Sequence, residues 1–484
     1  MVTIRKRKLL YFVIFSLTCI LFLLHLLNSG GIYRGSNDSK LSDSSSSNNN
    51  NNNNDWSFKS LTERFDFSYL PNLSNNLKSS YNQLNLISDP GLEKKGYILE
   101  PGNVKFKFTN NVKKRGTPEQ VINENMEKYR QLMNKEIGKP QDASLVPPPD
   151  DSHEYDKKRA NATILALVRN EELIKIGQSI KKFQRLFNSK FNYPYTFIND
   201  QPFTERFKQR ITKYTENAPV EFVVIKPEQW NKPSFIDEAK EAKEMQLMHD
   251  HNIAYAKKAS YHNMCRFYLG QFYNLPELQK YKYYWRIEPQ VKFFTDVQYD
   301  VLKYMEDTQK IYGFTVSLYD IEESVKTLWP ETLKFLNQGD NYKYVNPNGS
   351  FQWLVENLQN PKKNKMAGGY STCHFWSNFE IGDMDFFRSE AYSTWFKYLD
   401  STGGFYYERW GDAPVHSIGV SLFADKSKIH WFRDLGYNHD PYFNCARTPW
   451  TSACTVARFS RYEHLNKENC VINWLEYDEI KDVY

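Results

Sequence analysis

Apolar and polar positions organise the chain into alternating strand-like and helix-like segments from about residue 160 onward. In ATILALVRNEEL, residues 164–168 form an apolar run without polar interruption, which predicts a buried strand. The following EELIKIGQSIKKFQRLF places Leu173, Ile176, Ile180, Phe183 and Phe187 at helical spacing. Further strands are predicted at YTFIN (195–199), VEFVVIK (220–226), YYWRIE (283–288), YGFTVSL (312–318) and KIHWF (428–432), with helical stretches between several of them. This alternation predicts an α/β fold around a central mixed, largely parallel sheet. Ligands of such sheets gather at the carboxyl ends of the strands. That directs attention to Arg169, Glu288 and the segment around Glu380. No glycine-rich loop follows the first strand, so a P-loop and a dinucleotide fingerprint are both excluded.

The N-terminal pattern is different. Arg5, Lys6, Arg7 and Lys8 precede LLYFVIFSLTCILFLLHLL, residues 9–27. That run matches the roughly 20 apolar residues a membrane-spanning helix needs, and it is long for a cleaved signal peptide. The flanking positive charge holds residues 1–8 in the cytoplasm, which gives a type II topology with the rest of the chain lumenal. Residues 28–95 then read as a stem, with SNDSKLSDSSSSNNNNNNND at 36–55 too polar to bury a core. Residues 96–484 are expected to form the lumenal catalytic domain. Within it SLVPPPDD at 144–151 separates an N-terminal extension from the main fold.

Composition refines this reading at a few points. The net charge of +6 is partly the N-terminal cluster and leaves no concentrated basic stripe, so nucleic acid is not an expected partner. The 33 Tyr, 33 Phe and 11 Trp suit sugar binding, but a core rich in aromatic residues would account for them equally. Outside the membrane run lie Cys265, Cys373, Cys445, Cys454 and Cys470, an odd number without zinc-site spacing. One or two disulfides are expected in an oxidising lumen. Glycosylation sequons begin at Asn37, Asn72, Asn161 and Asn348.

Three segments carry candidate chemistry. YYWRIEPQ (283–290) delivers Glu288 at a strand end, where a carboxylate suits Mg²⁺ or Mn²⁺ and could equally pair with Arg286. STCHFWSNFEIGDMDFFRS (371–389) reads as one strand with His374, Trp376, Asn378 and Glu380 on a shared face. Trp376 could stack on a sugar, and Glu380 could act as a nucleophile or stabilise positive charge. In GGFYYERWGDAPVHSIGVSLF (403–423), Asp412 stands where a helix begins and could be only its cap. His439, in the turn GYNHDPY, could complete a metal site beside a carboxylate.

Together YHNMCRFYLGQFY, YYWRIEP, STCHFWSNFEIGDMDFFRS, ERWGDAPVHSIGVSLF and GYNHDPYFNC resemble the fungal α-1,2-mannosyltransferase family, glycosyltransferase family 15, over roughly residues 155–450. The resemblance implies a Rossmann-like GT-A fold, GDP-mannose as donor, Mn²⁺ as cofactor, retention of configuration, and mannosylated glycoprotein acceptors in the Golgi. It implies Glu288 and His439 as metal ligands, Glu380 as the proposed nucleophile, and Tyr261 near donor and acceptor. Arg169 would approach the nucleotide, and Arg286, Trp376 and Asp412 complete the candidate donor- and acceptor-binding set. Two departures stand out. Thr295 stands where members commonly have Cys, which would account for the odd cysteine count, and Ser234-Phe235 alters a segment expected to bear on acceptor choice. A non-catalytic mannan-binding protein and a transferase with another sugar-nucleotide donor are the competing readings.

Overall fold

The computed structural model describes residues 95–110, 116–139, 145, 158–216, 218–481 and 483. The expected membrane run at 9–27 lies outside them, as do nearly all of the stem and of the 144–151 boundary. Among the described residues no helix is long and apolar enough to cross a membrane.

Two short strands, β1 (Tyr97–Ile98) and β2 (Lys105–Phe106), pair antiparallel ahead of helix α1 (Pro118–Asn134). Thr117 and Gln120 form a capping box at the start of α1, with Pro118 in its first turn. Tyr97, Leu99, Val104, Phe108, Tyr129 and Met133 from this region join the same hydrophobic core as the main fold.

Seven strands make the central sheet: β3 (Ala162–Leu167), β4 (Tyr195–Asn199), β5 (Val220–Val224), β6 (Tyr283–Arg286), β8 (Tyr312–Phe314), β11 (Glu380–Asp383) and β12 (Ile429–Trp431). Strand β3 is buried on both faces, so its sequence reads as an unbroken apolar run. Helix α2 (Leu173–Phe183) keeps the predicted stripe and continues as a π turn through Asn188, burying Ile176, Ile180, Phe183 and Phe187. It packs against α3 (Glu205–Tyr214), which Thr204 caps. Helices α4 (Glu238–Asp250) and α5 (Ala259–Gly270) precede β6, while α6 (Glu390–Thr402) and α7 (Asp412–Phe423) pack near α5.

The strand order is β12-β8-β11-β6-β3-β4-β5. All neighbouring pairs are parallel except those of β11, which is antiparallel to both β6 and β8. The sheet is therefore mixed and largely parallel, as expected. The reversal of β11 has a direct consequence. Its first residue, Glu380, pairs with Arg286, the last residue of β6, so Glu380 lies at the edge where the parallel strands end.

A second sheet, β14-β13-β7, is built from β7 (Lys292–Phe293), β13 (Tyr437–His439) and β14 (Tyr442–Asn444). Pairing of β13 with β7 carries His439 to the segment that follows Glu288. His439 ends a strand rather than sitting in a free turn, and the next peptide, Asp440–Pro441, is cis.

Two predicted strands are broken. The 312–318 run splits into β8 and β9 (Ser317–Tyr319), and β9 leaves the main sheet to pair with β10 (Cys373–Phe375). The 371–380 segment is not one strand: β10 ends at Phe375, Ser377 and Asn378 form a turn, and Glu380 opens β11 in the other sheet. Turn-forming Ser and Asn outweigh the alternating pattern there, so His374 and Glu380 do not share a strand face.

Disulfides join Cys373 to Cys470 and Cys445 to Cys454, leaving Cys265 free and buried. The Thr295 hydroxyl lies 2.6 Å from that of Thr451 and donates to the Asp434 carbonyl at 3.0 Å. Most of the aromatic residues belong to the core: Trp285, Trp353, Trp395, Trp410 and Trp474 are fully buried.

Candidate active site

The site forms where β6, β11, α5, α7 and the small sheet meet. Strand β6 ends at Arg286, and Ile287 extends the ladder by donating to the Leu165 carbonyl. Glu288 and Pro289 then leave the sheet at its carboxyl edge. Arg286 is buried and bridges two carboxylates: one guanidinium nitrogen donates to Asp412, another to Glu288. Its guanidinium also lies over the Tyr268 ring, 3.6 Å from the centroid. Both earlier readings of Glu288 therefore meet in one place, since the ion pair with Arg286 exists beside His439.

Glu288 accepts a 2.6 Å hydrogen bond from Asn378 Nδ2, and its Oε2 lies 3.9 Å from His439 Nε2. Nδ1 of His439 is buried without a hydrogen-bond partner among the described residues. Trp376 is half-buried and edge-on to His439 at 5.2 Å. The imidazole Nε2 and the facing carboxylate oxygen form a donor pair of the chemistry that suits a divalent cation. No group of three or more His, Cys, Asp or Glu side chains gathers for a metal among the described residues.

Asp412 is the first residue of α7, but Gly411 is the cap, and the Asp412 carboxylate makes no cap bond. It takes the Arg286 bond and a 2.9 Å hydrogen bond from Ser377 instead. The cap expectation therefore fails because a buried guanidinium outcompetes the helix terminus for the carboxylate. Burial alone would raise the Asp412 carboxyl, but the charges of Arg286 and His416 and the Ser377 hydrogen bond hold it below its ordinary range.

Glu380 has no solvent exposure. Tyr284 donates to Oε1, while Tyr312 (2.8 Å) and His416 Nδ1 (2.7 Å) donate to Oε2. Burial raises this carboxyl as well, yet His416, Arg286 and Tyr284 together leave it lowered. Tyr284 and Tyr312, buried beside that carboxylate, are pushed well above the ordinary phenol range.

One stripe of α5 completes the cluster. Tyr261, Cys265 and Tyr268 follow one another at helical spacing. The Cys265 thiol donates to Asp412 at 3.8 Å and interacts with the Tyr261 hydroxyl. The structure thus brings Tyr261, Arg286, Glu288, Trp376, Asp412 and His439 into one connected neighbourhood, with Glu380 beneath. Arg169 stands apart. It follows β3 at the same sheet edge, and its backbone N–H bonds Glu172, but its side chain makes no hydrogen bond with this cluster. Sequence reasoning missed His416, Tyr268, Ser377 and Tyr312. His416 carried a usable signal, because it lies four residues after Asp412 on the predicted helix and so faces the same way.

A mixed sheet with acidic, basic and imidazole groups converging at its carboxyl edge is a layout that can bind a charged ligand. Residues 119–479 match the family described as glycolipid 2-alpha-mannosyltransferase. The α-1,2 mannosyltransferase KTR1 of Saccharomyces cerevisiae is 43% identical over 60% of this chain and 71% of its own length. The crystal structure of the S. cerevisiae mannosyltransferase Ktr4p in complex with GDP superposes with a TM-score of 0.73 at 42% identity, covering 82% of this chain and 100% of that one. Core-mannan synthase A (CmsA/Ktr4) of Aspergillus fumigatus, in its Mn/GDP form, gives a TM-score of 0.67 at 45% identity over 72% and 94%. The chain belongs to the glycolipid 2-alpha-mannosyltransferase family and is a mannose-transferring glycosyltransferase.

Proposed function

We propose that this protein transfers mannose from GDP-mannose to the 2-hydroxyl of a mannosyl acceptor on glycoproteins, with retention of configuration and with Mn²⁺ as cofactor. We read the fold as a Rossmann-like GT-A transferase, and the chain as a type II Golgi membrane protein anchored by residues 9–27 with a lumenal catalytic domain. Ktr4p was crystallised with GDP and the Aspergillus enzyme in a Mn/GDP form, which supports donor and metal. The observation that carries the reading is the approach of Glu288 to His439 at 3.9 Å beside the Arg286–Asp412 pair.

Glu288 and His439 would hold the cation, which when bound supplies Lewis acidity to the diphosphate leaving group. The chain's own groups do the rest. Arg286, fixed between Asp412 and Glu288 and stacked on Tyr268, ties both side chains to the sheet edge and helps hold the Asp412 carboxyl below its ordinary range. Tyr261 stays a phenol, because burial pushes it well above the ordinary range, and so can donate a hydrogen bond to a ligand oxygen. Trp376 offers an indole surface to a sugar. Glu380 is enclosed by three donors and fully buried, which favours a fixed negative charge that stabilises the electron-poor anomeric centre over direct attack on it.

The test is incubation of the protein with GDP-mannose, Mn²⁺ and α-methyl mannoside, followed by linkage analysis. An α-1,2-linked dimannoside is expected. Transfer from another sugar nucleotide in preference to GDP-mannose would overturn the donor assignment.

A further inference from the structure

Arg409 lies outside the groups used above. It sits in the ERWGD segment just before α7, with 7% of its surface exposed. Its Nη2 donates to Asp320 Oδ1 at 2.9 Å and to Ser324 Oγ at 3.0 Å, and its backbone N–H donates to the Ser324 carbonyl at 3.1 Å. Asp320 is fixed in turn: its carboxylate accepts from Ile321 N at 2.7 Å and its own N–H donates to Thr372 at 2.8 Å. From this clamp, Arg409 Nη1 donates to the Tyr261 hydroxyl at 3.2 Å.

The chemistry of that contact is directional. A guanidinium has only donors, so Tyr261 must accept from Arg409 and turn its own proton elsewhere. The Cys265 thiol is a further neighbour of that hydroxyl. A fixed positive charge on the phenol oxygen also polarises the O–H and makes it a stronger donor. The opposite constraint comes from Tyr255, whose ring stacks on Tyr261 at 4.7 Å and 10°. Tyr255 is 55% exposed and holds φ 64, a backbone conformation bulky residues rarely adopt. An ion pair buried this deeply is seldom favourable for stability alone, because desolvation offsets its attraction.

We propose that Arg409, anchored by Asp320 and Ser324, is a positioning residue that orients the Tyr261 hydroxyl toward bound substrate. The proposal rests on the reading of Tyr261 as a ligand-contacting group. It is tested by a double-mutant cycle with Arg409→Lys and Tyr261→Phe, assayed for kcat and for KM of GDP-mannose, with thermal midpoints measured alongside. Lysine keeps the charge but cannot span Asp320 and Tyr261 together. In the native background Arg409→Lys should lower kcat about 10-fold or more, the size of one lost charge-assisted hydrogen bond. In the Tyr261→Phe background the same change should cost less than about 2-fold, because the two residues act as one. Asp320→Asn, which loosens the clamp while keeping its shape, should show the same coupling in a smaller degree. Equal losses in both backgrounds for both variants, or a lower thermal midpoint with unchanged kcat, would overturn the proposal and leave Arg409 a structural pair. Native turnover by Tyr261→Phe itself would instead remove Tyr261 from the site, and the proposal with it.

Discussion

Glu380→Gln removes a charge from a side chain with no solvent exposure and three donors aimed at it. The amide oxygen can keep the position facing Tyr312 and His416. The amide nitrogen then faces Tyr284, whose hydroxyl can rotate and accept. Shape is retained, so the change falls on the electrostatics. Three charge-assisted hydrogen bonds become neutral ones, at a loss of about 1 kcal/mol each. Relief of the burial penalty on the carboxylate returns part of this, for a net destabilisation of about 1–3 kcal/mol at neutral pH. The pH dependence has a definite sign. A carboxyl whose folded value is depressed contributes fully above its unfolded value, near 4.3, and loses that contribution as the pH falls through the folded value. The variant should therefore differ from the native protein at neutral pH and converge with it in acid. Urea unfolding across that range measures both, and mannosyl transfer should fall about 100-fold or more if the fixed charge serves the transition state. A variant as stable as the native protein at neutral pH, with near-native turnover, would refute the account of this network.

Three further outcomes follow from the same structure. Loss of the Cys373–Cys470 bond, which closes 97 residues, should cost about 4.7 kcal/mol by loop entropy, against about 2.6 kcal/mol for Cys445–Cys454, which closes 9; paired Cys→Ser unfolding curves check the order. Asp478 is pushed up to about 6 by burial, so the stability it gives is full below about pH 4 and is lost as the pH rises through 6. Asp478→Asn should remove a fall of about 3 kcal/mol over that interval, read as the difference between native and variant unfolding profiles. Gly382→Ala should destabilise the sheet, because the added Cβ would lie 2.6 Å from the Tyr284 ring under Glu380; a thermal midpoint equal to the native one would contradict that packing.

How much of this could be read in advance depended on whether the determining contact was local. The β3 run and the α2 stripe were readable because each buries a continuous apolar face encoded within a dozen residues. Glu288 was placed correctly past a strand end because an apolar run and Pro289 define that end locally. The fate of 371–380 was not readable: alternation suggested one strand, whereas Ser377 and Asn378 turn the chain and Glu380 joins a strand running the other way. The role of Asp412 was obscured for another reason. Helix-start chemistry is a local signal, but its carboxylate answers to Arg286, 126 residues earlier. His439 needed the pairing of β13 with β7 before its neighbour could be known. The motifs that resemble the family supplied by analogy what local pattern could not, namely the expectation that Glu288, Glu380 and His439 serve one site.

The central claim is that Glu288 and His439 hold the cation on which mannosyl transfer depends. The direct measurement is the rate of transfer from GDP-mannose to α-methyl mannoside as a function of Mn²⁺ concentration, for the native protein, Glu288→Ala and His439→Ala. Both variants should need at least about 10-fold more Mn²⁺ to reach half-maximal rate, or show no metal response at all. Native Mn²⁺ dependence in both would contradict the assignment and require a different metal site.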